Sequence, residues 1–294
     1  MEAVIEILAP PRQTVPLIFA SPHSGSDYSP SFLASSKLDA LTLRRSEDCF
    51  VDELFARVPE LGAPLLKARF PRAFLDPNRE PFELDPTMFA DPLPDFVNHR
   101  SPRVRIGLGT IARIVASGEE IYARKLQLAE ALERIERLYR PYHRALNDLL
   151  AATLDRFGCY LLIDCHSMPS ASQGSRDIVL GDAHGTSCHP LVTQTAHRLL
   201  AGRGYGVVRN IPYAGGFTTT HYGKPAAHGH CLQIELSRGL YMDERRFEKT
   251  RNFARLAADM HDLAGALAAL APAALEERGD PRSKKWAATS AAQV

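Results

Sequence analysis

Cys159-Tyr-Leu-Leu-Ile-Asp-Cys-His-Ser167 passes without a break from an apolar run into polar, ligand-capable residues. An apolar run of this length that does not alternate reads as a strand buried on both faces. The polar residues at its end fall where open α/β sheets build their sites, at the carboxyl ends of strands. Immediately upstream, Leu128, Leu132, Ile135, Tyr139, Tyr142, Leu146 and Leu149 recur at steps of four and three. That is a single apolar helix face, with Gly158 as its stop. Ser117-Gly-Glu-Glu120 has the form of a capping box and predicts that the helix starts there. Pro141 should kink or divide it, and its tyrosines read as core.

The same strand-then-polar-turn pattern recurs on both sides. Val15-Pro-Leu-Ile-Phe-Ala20 reads as a buried strand delivering Ser21-Pro-His-Ser-Gly25, and Pro64-Leu-Leu-Lys-Ala68 as a second one leading to Phe74-Leu-Asp-Pro-Asn-Arg-Glu80. Residues 37–60 read as a connecting segment followed by a helix, and 81–105 as irregular loop. Downstream, Asp177-Ile-Val-Leu180 and Tyr205-Gly-Val-Val208 are short strands, with a helix over 191–200 between them. Cys231-Leu-Gln-Ile-Glu-Leu236 is a strand carrying one carboxylate, and a last helix is expected over 246–270. Strands alternating with helices predict a mostly parallel or mixed sheet covered on both faces. One domain over 1–275 is expected, with 276–294 as a disordered charged and Ala/Ser-rich tail.

Composition narrows the function classes. The 294 residues are 45% hydrophobic with a formal net charge of +1, enough for a substantial core and no argument for a polyanionic partner or a membrane surface. Arg44, Arg45, Arg69, Arg72, Arg103 and Arg105 are scattered, so nucleic acid binding is not expected. The five cysteines, Cys49, Cys159, Cys165, Cys188 and Cys231, form no CxxC pair and suit a reducing compartment. The N-terminus lacks the basic segment and apolar stretch of a signal peptide. No run approaches the ~18 apolar residues of a membrane span. A cytoplasmic location is the expectation, and nothing in the sequence specifies an oligomeric state.

Zinc hydrolases need three protein ligands and an open position, plus a carboxylate that is not a ligand to take a proton from water. His23 and His166, each placed after an apolar run, fit as two imidazole ligands. The third falls in Ser46-Glu-Asp48, where Glu47 and Asp48 are both open; their bland alternative is charge at a helix start. Glu235 sits in an otherwise apolar strand, and a carboxylate is costly to bury unless paired or functional. It reads as the general base, with a salt bridge to Arg238 as the structural alternative. A serine or cysteine hydrolase is disfavoured: there is no G-x-S-x-G, and Cys165 and His166 are strand neighbours pointing to opposite faces.

Seven segments in order resemble the N-formylglutamate amidohydrolase family. They are Ser-Pro-His-Ser-Gly at 21–25, Glu-Asp-x-x-Val-Asp at 47–52, Asp-Pro-Asn-Arg-Glu at 76–80 and Asp-Cys-His-Ser-Met-Pro at 164–169. Asp-Ile-Val-Leu-Gly-Asp at 177–182, Asn-x-Pro-Tyr-x-Gly-Gly at 210–216 and Gln-Ile-Glu-Leu-Ser-Arg-x-Leu-Tyr-Met-Asp at 233–243 complete the set. The family is similar to the zinc carboxypeptidases and aspartoacylases, which implies a three-layer α/β/α, zinc-exopeptidase-like fold around a mixed, mostly parallel sheet. By position the resemblance implies zinc on His23, Asp48 and His166, with Glu235 as base; other divalent ions such as cobalt would suit the same donors. It further implies that Asn78 and Arg79 bind substrate carboxylate and that Arg79 polarises the scissile carbonyl. The reaction expected is metal-assisted hydrolysis of N-formyl-L-glutamate, a small-molecule substrate of histidine degradation. A dicarboxylate calls for at least two cationic clamps. Arg176 is the second candidate, with Arg44 or Arg45 behind it. Residues 210–222 read as a substrate-covering loop contributing Thr219 and Tyr222, with His184, His189 and His228 in polar loops around it. The rivals are a relative acting on another N-acyl amino acid or a peptide, and a catalytically silent binding protein on the same scaffold.

Overall fold

A computed structural model describes residues 3–170, 176–270 and Leu275. Among the described residues seven strands make one sheet: β1 (Ile5–Leu8), β2 (Leu17–Ser21), β3 (Leu65–Ala68), β4 (Tyr160–Met168), β5 (Ile178–Gly181), β6 (Val207–Arg209) and β7 (Gly229–Ser237). Their order is β1-β3-β2-β4-β7-β5-β6. The central run β3-β2-β4-β7 is parallel throughout. β1 is antiparallel to β3, and β5 is antiparallel to β7 and parallel to β6. The sheet is therefore mixed and mostly parallel, with helices on both faces, as expected.

The two central strands, β4 and β7, are nine residues each and buried at every position. Alternation of side chains sorts their residues between two cores. Leu17, Phe19, Leu161, Ile163, Leu232, Ile234 and Leu236 face the helices Pro190–Gly202 and Phe253–Ala268. Ile18, Ala20, Tyr160, Leu162 and Cys231 face the long helix that ends at Phe157. On this second face the parity positions change character part-way along: Tyr160 and Leu162 give way to Asp164 and His166, and Cys231 to Gln233 and Glu235. One face of one sheet is thus apolar at its start and chemical at its carboxyl end.

Several elements differ from the sequence expectations for identifiable reasons. β4 does not stop at Ile163 but continues to Met168, so Asp164 and His166 are strand residues on one face. The long helix does not begin at Ser117. Gly118 (φ 91°) turns the chain back, and Ile114 bridges Glu120 in a tight hairpin instead. The helix starts at Leu128, where the apolar periodicity itself begins, and Glu130 accepts from the Gln127 N–H at 2.7 Å to cap it. Pro141 falls in the first turn of a separate α-helix, Arg140–Phe157, and the preceding turn, Ile135–Tyr139, widens to a π-helix that accommodates the missing donor and the ring's bulk. Gly158 (φ 77°) ends it as expected.

The connecting region 37–60 forms short pieces, not one helix, because Phe50 (φ 65°) and Pro59 interrupt it. The last helix starts at Phe253, after a two-stranded hairpin pairing Met242–Asp243 with Glu248–Lys249. Residues 217–222, read as loop, form the helix Phe217–Tyr222. The tail expected from Glu276 lies outside the described residues. Among the described residues, no helix is long and apolar enough to cross a membrane.

The turn after β2 is fixed by close backbone approach. A Cβ on Gly25 would stand 2.2 Å from the Phe70 carbonyl oxygen, so the return of the chain past this turn requires glycine. Gly202, at the end of its helix, has open space around it. In urea titrations Gly25→Ala is expected to lose about 2 kcal/mol through overpacking, whereas Gly202→Ala should be neutral or slightly stabilising. Equal effects of the two would show that the turn yields to a side chain.

Candidate active site

Three separate segments bring His23, Asp48 and His166 together. β2 delivers His23 in the turn Ser21–Gly25, and β4 carries His166 near its end. Asp48 is stapled to the turn by its own backbone. Its N–H donates to the His23 carbonyl at 3.0 Å, and its carbonyl accepts from Ser24 Oγ at 3.0 Å. The three contacting atoms form a near-equilateral triangle. His23 Nδ1 and His166 Nδ1 are 3.1 Å apart, and Asp48 Oδ2 is 3.3 Å from the first and 3.2 Å from the second. Donors 2.0–2.1 Å from a tetrahedral zinc ion stand roughly 3.3–3.4 Å from one another. The triangle has the size of one face of such a site.

The outer hydrogen bonds decide what the triangle presents. His23 Nε2 lies 2.7 Å from Asp76 Oδ1, and His166 Nε2 lies 2.9 Å from Asp164 Oδ2. A carboxylate accepts, so each Nε2 carries the proton and each Nδ1 turns a bare lone pair inward. This is the carboxylate–histidine arrangement that orients metal-binding imidazoles. Asp48 Oδ1 accepts from Arg238 Nη2 at 3.1 Å, which leaves Oδ2 for the cluster. Three electron-rich atoms buried to 3% exposure or less and aimed at one point fit a cation. Glu47, the other acidic candidate, is turned away and bound by Arg44 and Tyr28.

The electrostatics agree. Burial alone would raise Asp48 and Asp76, but the imidazoles beside Asp48, and Arg79, His23 and Arg72 around Asp76, hold both well below the usual carboxylate range. Burial alone would lower His166, but Asp164 and Asp48 hold it well above the usual imidazole value. Positive charge is favoured at this point, whether a proton or a metal ion supplies it.

Glu235 stands opposite His166 in the β4–β7 register and is 8% exposed. Burial pushes its carboxyl up to about 7. Gln233 Nε2 donates to it at 3.0 Å, while Gln233 Oε1 accepts from the Gly216 N–H at 2.9 Å. Its alternative partner from sequence, Arg238, is committed elsewhere, to Asp48, Ser167 and the Arg45 carbonyl. A carboxyl poised near neutrality beside an ion-sized cluster suits proton transfer.

Glu235 and the two histidines line a cavity of about 260 Å³, smaller than the roughly 300–1,000 Å³ typical of ligand pockets. Asn78 and Arg79 line it too, together with Arg72, Arg103 and Arg238. Asn78 is held by Asp164 and by the Thr218 N–H. Arg79 donates to the carbonyls of Leu108 and Asn78.

Other residues singled out from sequence are placed differently. Arg176 is exposed and outside the cavity lining. Thr219 is buried beneath Gly215 and reaches Gln233 at 3.5 Å, not the cavity. Tyr222 is buried behind the site, its hydroxyl 2.7 Å from His143 Nδ1. Arg44 pairs with Glu47 and Arg45 with Glu119. His184, His189 and His228 are outside the lining. The residues that sequence reasoning passed over are Arg72, Arg103 and Gln233. Two of them carried a signal: Arg72 lies four before Asp76, and Gln233 shares a strand face with Glu235.

Comparison with known proteins places this geometry in context. The family model for N-formylglutamate amidohydrolase matches residues 15–242. The chain is 31% identical over 248 residues to an N-formylglutamate deformylase of Pseudomonas aeruginosa, covering 82% of this chain and 87% of that protein. It is 31% identical over 240 residues to that of Pseudomonas putida, covering 78% and 83%. The crystal structure of N-formylglutamate amidohydrolase from Ralstonia eutropha JMP134 superposes with a TM-score of 0.86 at 36% identity, over 92% of this chain and 99% of that one. A gene product of Agrobacterium tumefaciens shares the fold, with a TM-score of 0.62 at 18% identity over 90% and 93%.

The cluster predicts one divalent ion per chain, measured by elemental analysis after dialysis. His166→Ala should abolish it. Affinity should weaken as pH falls, because the raised affinity of His166 for protons makes them competitors for the same lone pair. Binding that ignores both would place the ion elsewhere.

Proposed function

Because the chain belongs to the N-formylglutamate amidohydrolase family, and is thus an amidohydrolase, we propose that it hydrolyses N-formyl-L-glutamate to formate and L-glutamate. The observation that carries this reading is the pairing of Glu235 with His166 across β4 and β7, which sets a near-neutral carboxyl beside a cation-sized triangle in a small, arginine-lined cavity. His23, Asp48 and His166 would hold zinc. When bound, zinc supplies Lewis acidity, lowering the pKa of water towards 7 and polarising a carbonyl.

The chain's own residues do the rest. Glu235 takes a proton from water as the oxygen attacks the formyl carbon. It then delivers that proton to the amide nitrogen as the C–N bond breaks and L-glutamate departs. Gln233 holds the Glu235 carboxyl during both transfers. Arg79, 6% exposed, offers charge to the developing oxyanion. The two substrate carboxylates call for guanidinium groups. Arg72, whose Nε alone is bonded to Asp76, supports one of these contacts, and Arg103 and Asn78 at the wall support the other.

We read residues 1–275 as one domain, since β1 and β7 share a sheet and Leu275 is buried with its carbonyl 2.8 Å from His230 Nε2. Five buried cysteines support a reducing, cytoplasmic setting.

Formate release from N-formyl-L-glutamate, with N-formyl-L-aspartate and N-acetyl-L-glutamate as controls, tests the substrate. Activity should be lost on chelation and return with zinc. Glu235→Gln should lower kcat by 10²–10⁴-fold, the usual worth of a general base, with metal content unchanged. Preference for either control would move the substrate, and full activity in Glu235→Gln would remove the assignment of the base. Arg72→Ala should raise KM well above tenfold; an unchanged KM would place the substrate carboxylates elsewhere in the cavity.

A further inference from the structure

Behind the cavity, the buried face of the helix Arg140–Phe157 and the turn before it carries two polar groups that the reaction does not use. Tyr139 and His143 are each 0% exposed. Tyr139 Oη donates to the Arg79 carbonyl at 2.8 Å. His143 Nε2 lies 2.9 Å from the Pro77 carbonyl, and its Nδ1 lies 2.7 Å from Tyr222 Oη. A carbonyl can only accept, so Nε2 carries the proton and Nδ1 accepts from the Tyr222 hydroxyl. That fixes the tautomer. Burial pushes the imidazole down to about 3, so the ring is neutral. Tyr222 is fixed in turn, because Tyr160 Oη donates to its carbonyl at 2.8 Å.

These bonds converge on one short segment. Between the two held carbonyls lies Asn78, and the segment Asp76–Arg79 supplies three different services. Asp76 orients His23, Asn78 holds Asp164, and Arg79 lines the cavity. The rest of its backbone is tied from other directions: the Asp76 N–H donates to the Thr110 carbonyl at 2.8 Å, the Asn78 carbonyl accepts from Arg79 Nη1 at 2.6 Å, Pro77 has no N–H, and the Asn78 N–H turns back onto Asp76 Oδ1 at 2.8 Å. The Pro77 and Arg79 carbonyls, on either side of Asn78, are the handles left on the face towards the helix, and both are gripped from that helix and the turn before it.

We propose that Tyr139, and Tyr222 acting through His143, are positioning residues: two buried hydrogen-bond arms that set the backbone of Asp76–Arg79 and so aim side chains at both the metal cluster and the substrate. Tyr222 thus serves the site from behind instead of touching the substrate. The kinetic consequence rests on the proposed formyl hydrolysis; the backbone consequence does not.

The test uses the full chain with Tyr139→Phe, Tyr222→Phe, His143→Leu and His143→Gln. The first two remove one hydroxyl each without changing ring shape. Glutamine can restore an N–H near the position of Nε2, and leucine cannot. Expected are a fall in kcat/KM on N-formyl-L-glutamate on the order of tenfold, expressed mainly in KM for Tyr139→Phe, and partial recovery of His143→Gln over His143→Leu. Amide hydrogen exchange over residues 75–83 should quicken in Tyr139→Phe and His143→Leu, with exchange in β4 and β7 unchanged. Unaltered local exchange in Tyr139→Phe, or equal loss in the glutamine and leucine variants that tracks only a lower Tm, would overturn the proposal. Should wild-type protein release no formate, the substrate reading fails by itself and the exchange measurement still decides the role of the two arms.

Discussion

Two imidazole nitrogens and a carboxylate oxygen meet within 3.3 Å, each with its lone pair turned towards the others. Without positive charge between them such an arrangement is repulsive, and burial removes the water that would screen it. Most of the surrounding structure can be understood as what it takes to hold these three atoms in place. Asp76 and Asp164 keep the ring protons on the far nitrogens. Arg238 draws one oxygen of Asp48 away and leaves the other. Ser24 ties the backbone of the Asp48 segment to the turn that bears His23, and Gly25 lets that turn pass the chain at Phe70.

The sheet supplies the frame through side-chain alternation alone. Because β4 and β7 are parallel and in register, Asp164 meets Gln233 and His166 meets Glu235 on the face that carries Leu162 and Cys231 further back. A shift of one residue in either strand would send its polar pair into the opposite apolar core. The apolar first halves of these strands thus specify where the chemistry falls. The same constraint accounts for Gln233. It is placed two residues from Glu235 on one face, and its amide can satisfy the backbone at Gly216 and the carboxylate at once.

This logic also explains how far the sequence could be read. Long apolar runs reveal the strands, the mixed sheet and the placing of His23 and His166 after strands, because these are local properties; the choice of Asp48 over Glu47 comes only from the family resemblance. The helix start was misplaced at Ser117 because two cap-like tetrads lie ten residues apart, and only the apolar repeat distinguishes Gln127–Glu130 from the turn at Gly118. Residue type points to Arg176 and Tyr222 for the substrate, yet which arginine reaches a cavity depends on tertiary contacts. Arg72 enters through Asp76, a partner four residues away. Tyr222 enters through His143, 79 positions away, and no local pattern announces that bond.

Charge balance ties the cavity to the proposed substrate. Around the cluster and along the cavity wall stand the carboxylates of Asp48, Asp76, Asp164 and Glu235 and the guanidinium groups of Arg72, Arg79, Arg103 and Arg238. With Glu235 ionised these offset one another, so a bound divalent ion leaves two positive charges in excess. A dicarboxylate neutralises that excess, whereas a monocarboxylate leaves one charge unmatched. Buried Arg238 is engaged with Asp48 and Arg79 lies against Leu108 and Asn78, while Arg72 gives only its Nε to Asp76, so the guanidinium edges open to a substrate carboxylate lie on Arg72 and Arg103. The formyl end is then directed to the cluster and the acidic end to the wall. Selectivity for an acidic N-acyl amino acid then follows from this excess of positive charge and from the guanidinium edges that Arg72 and Arg103 bring to the cavity wall.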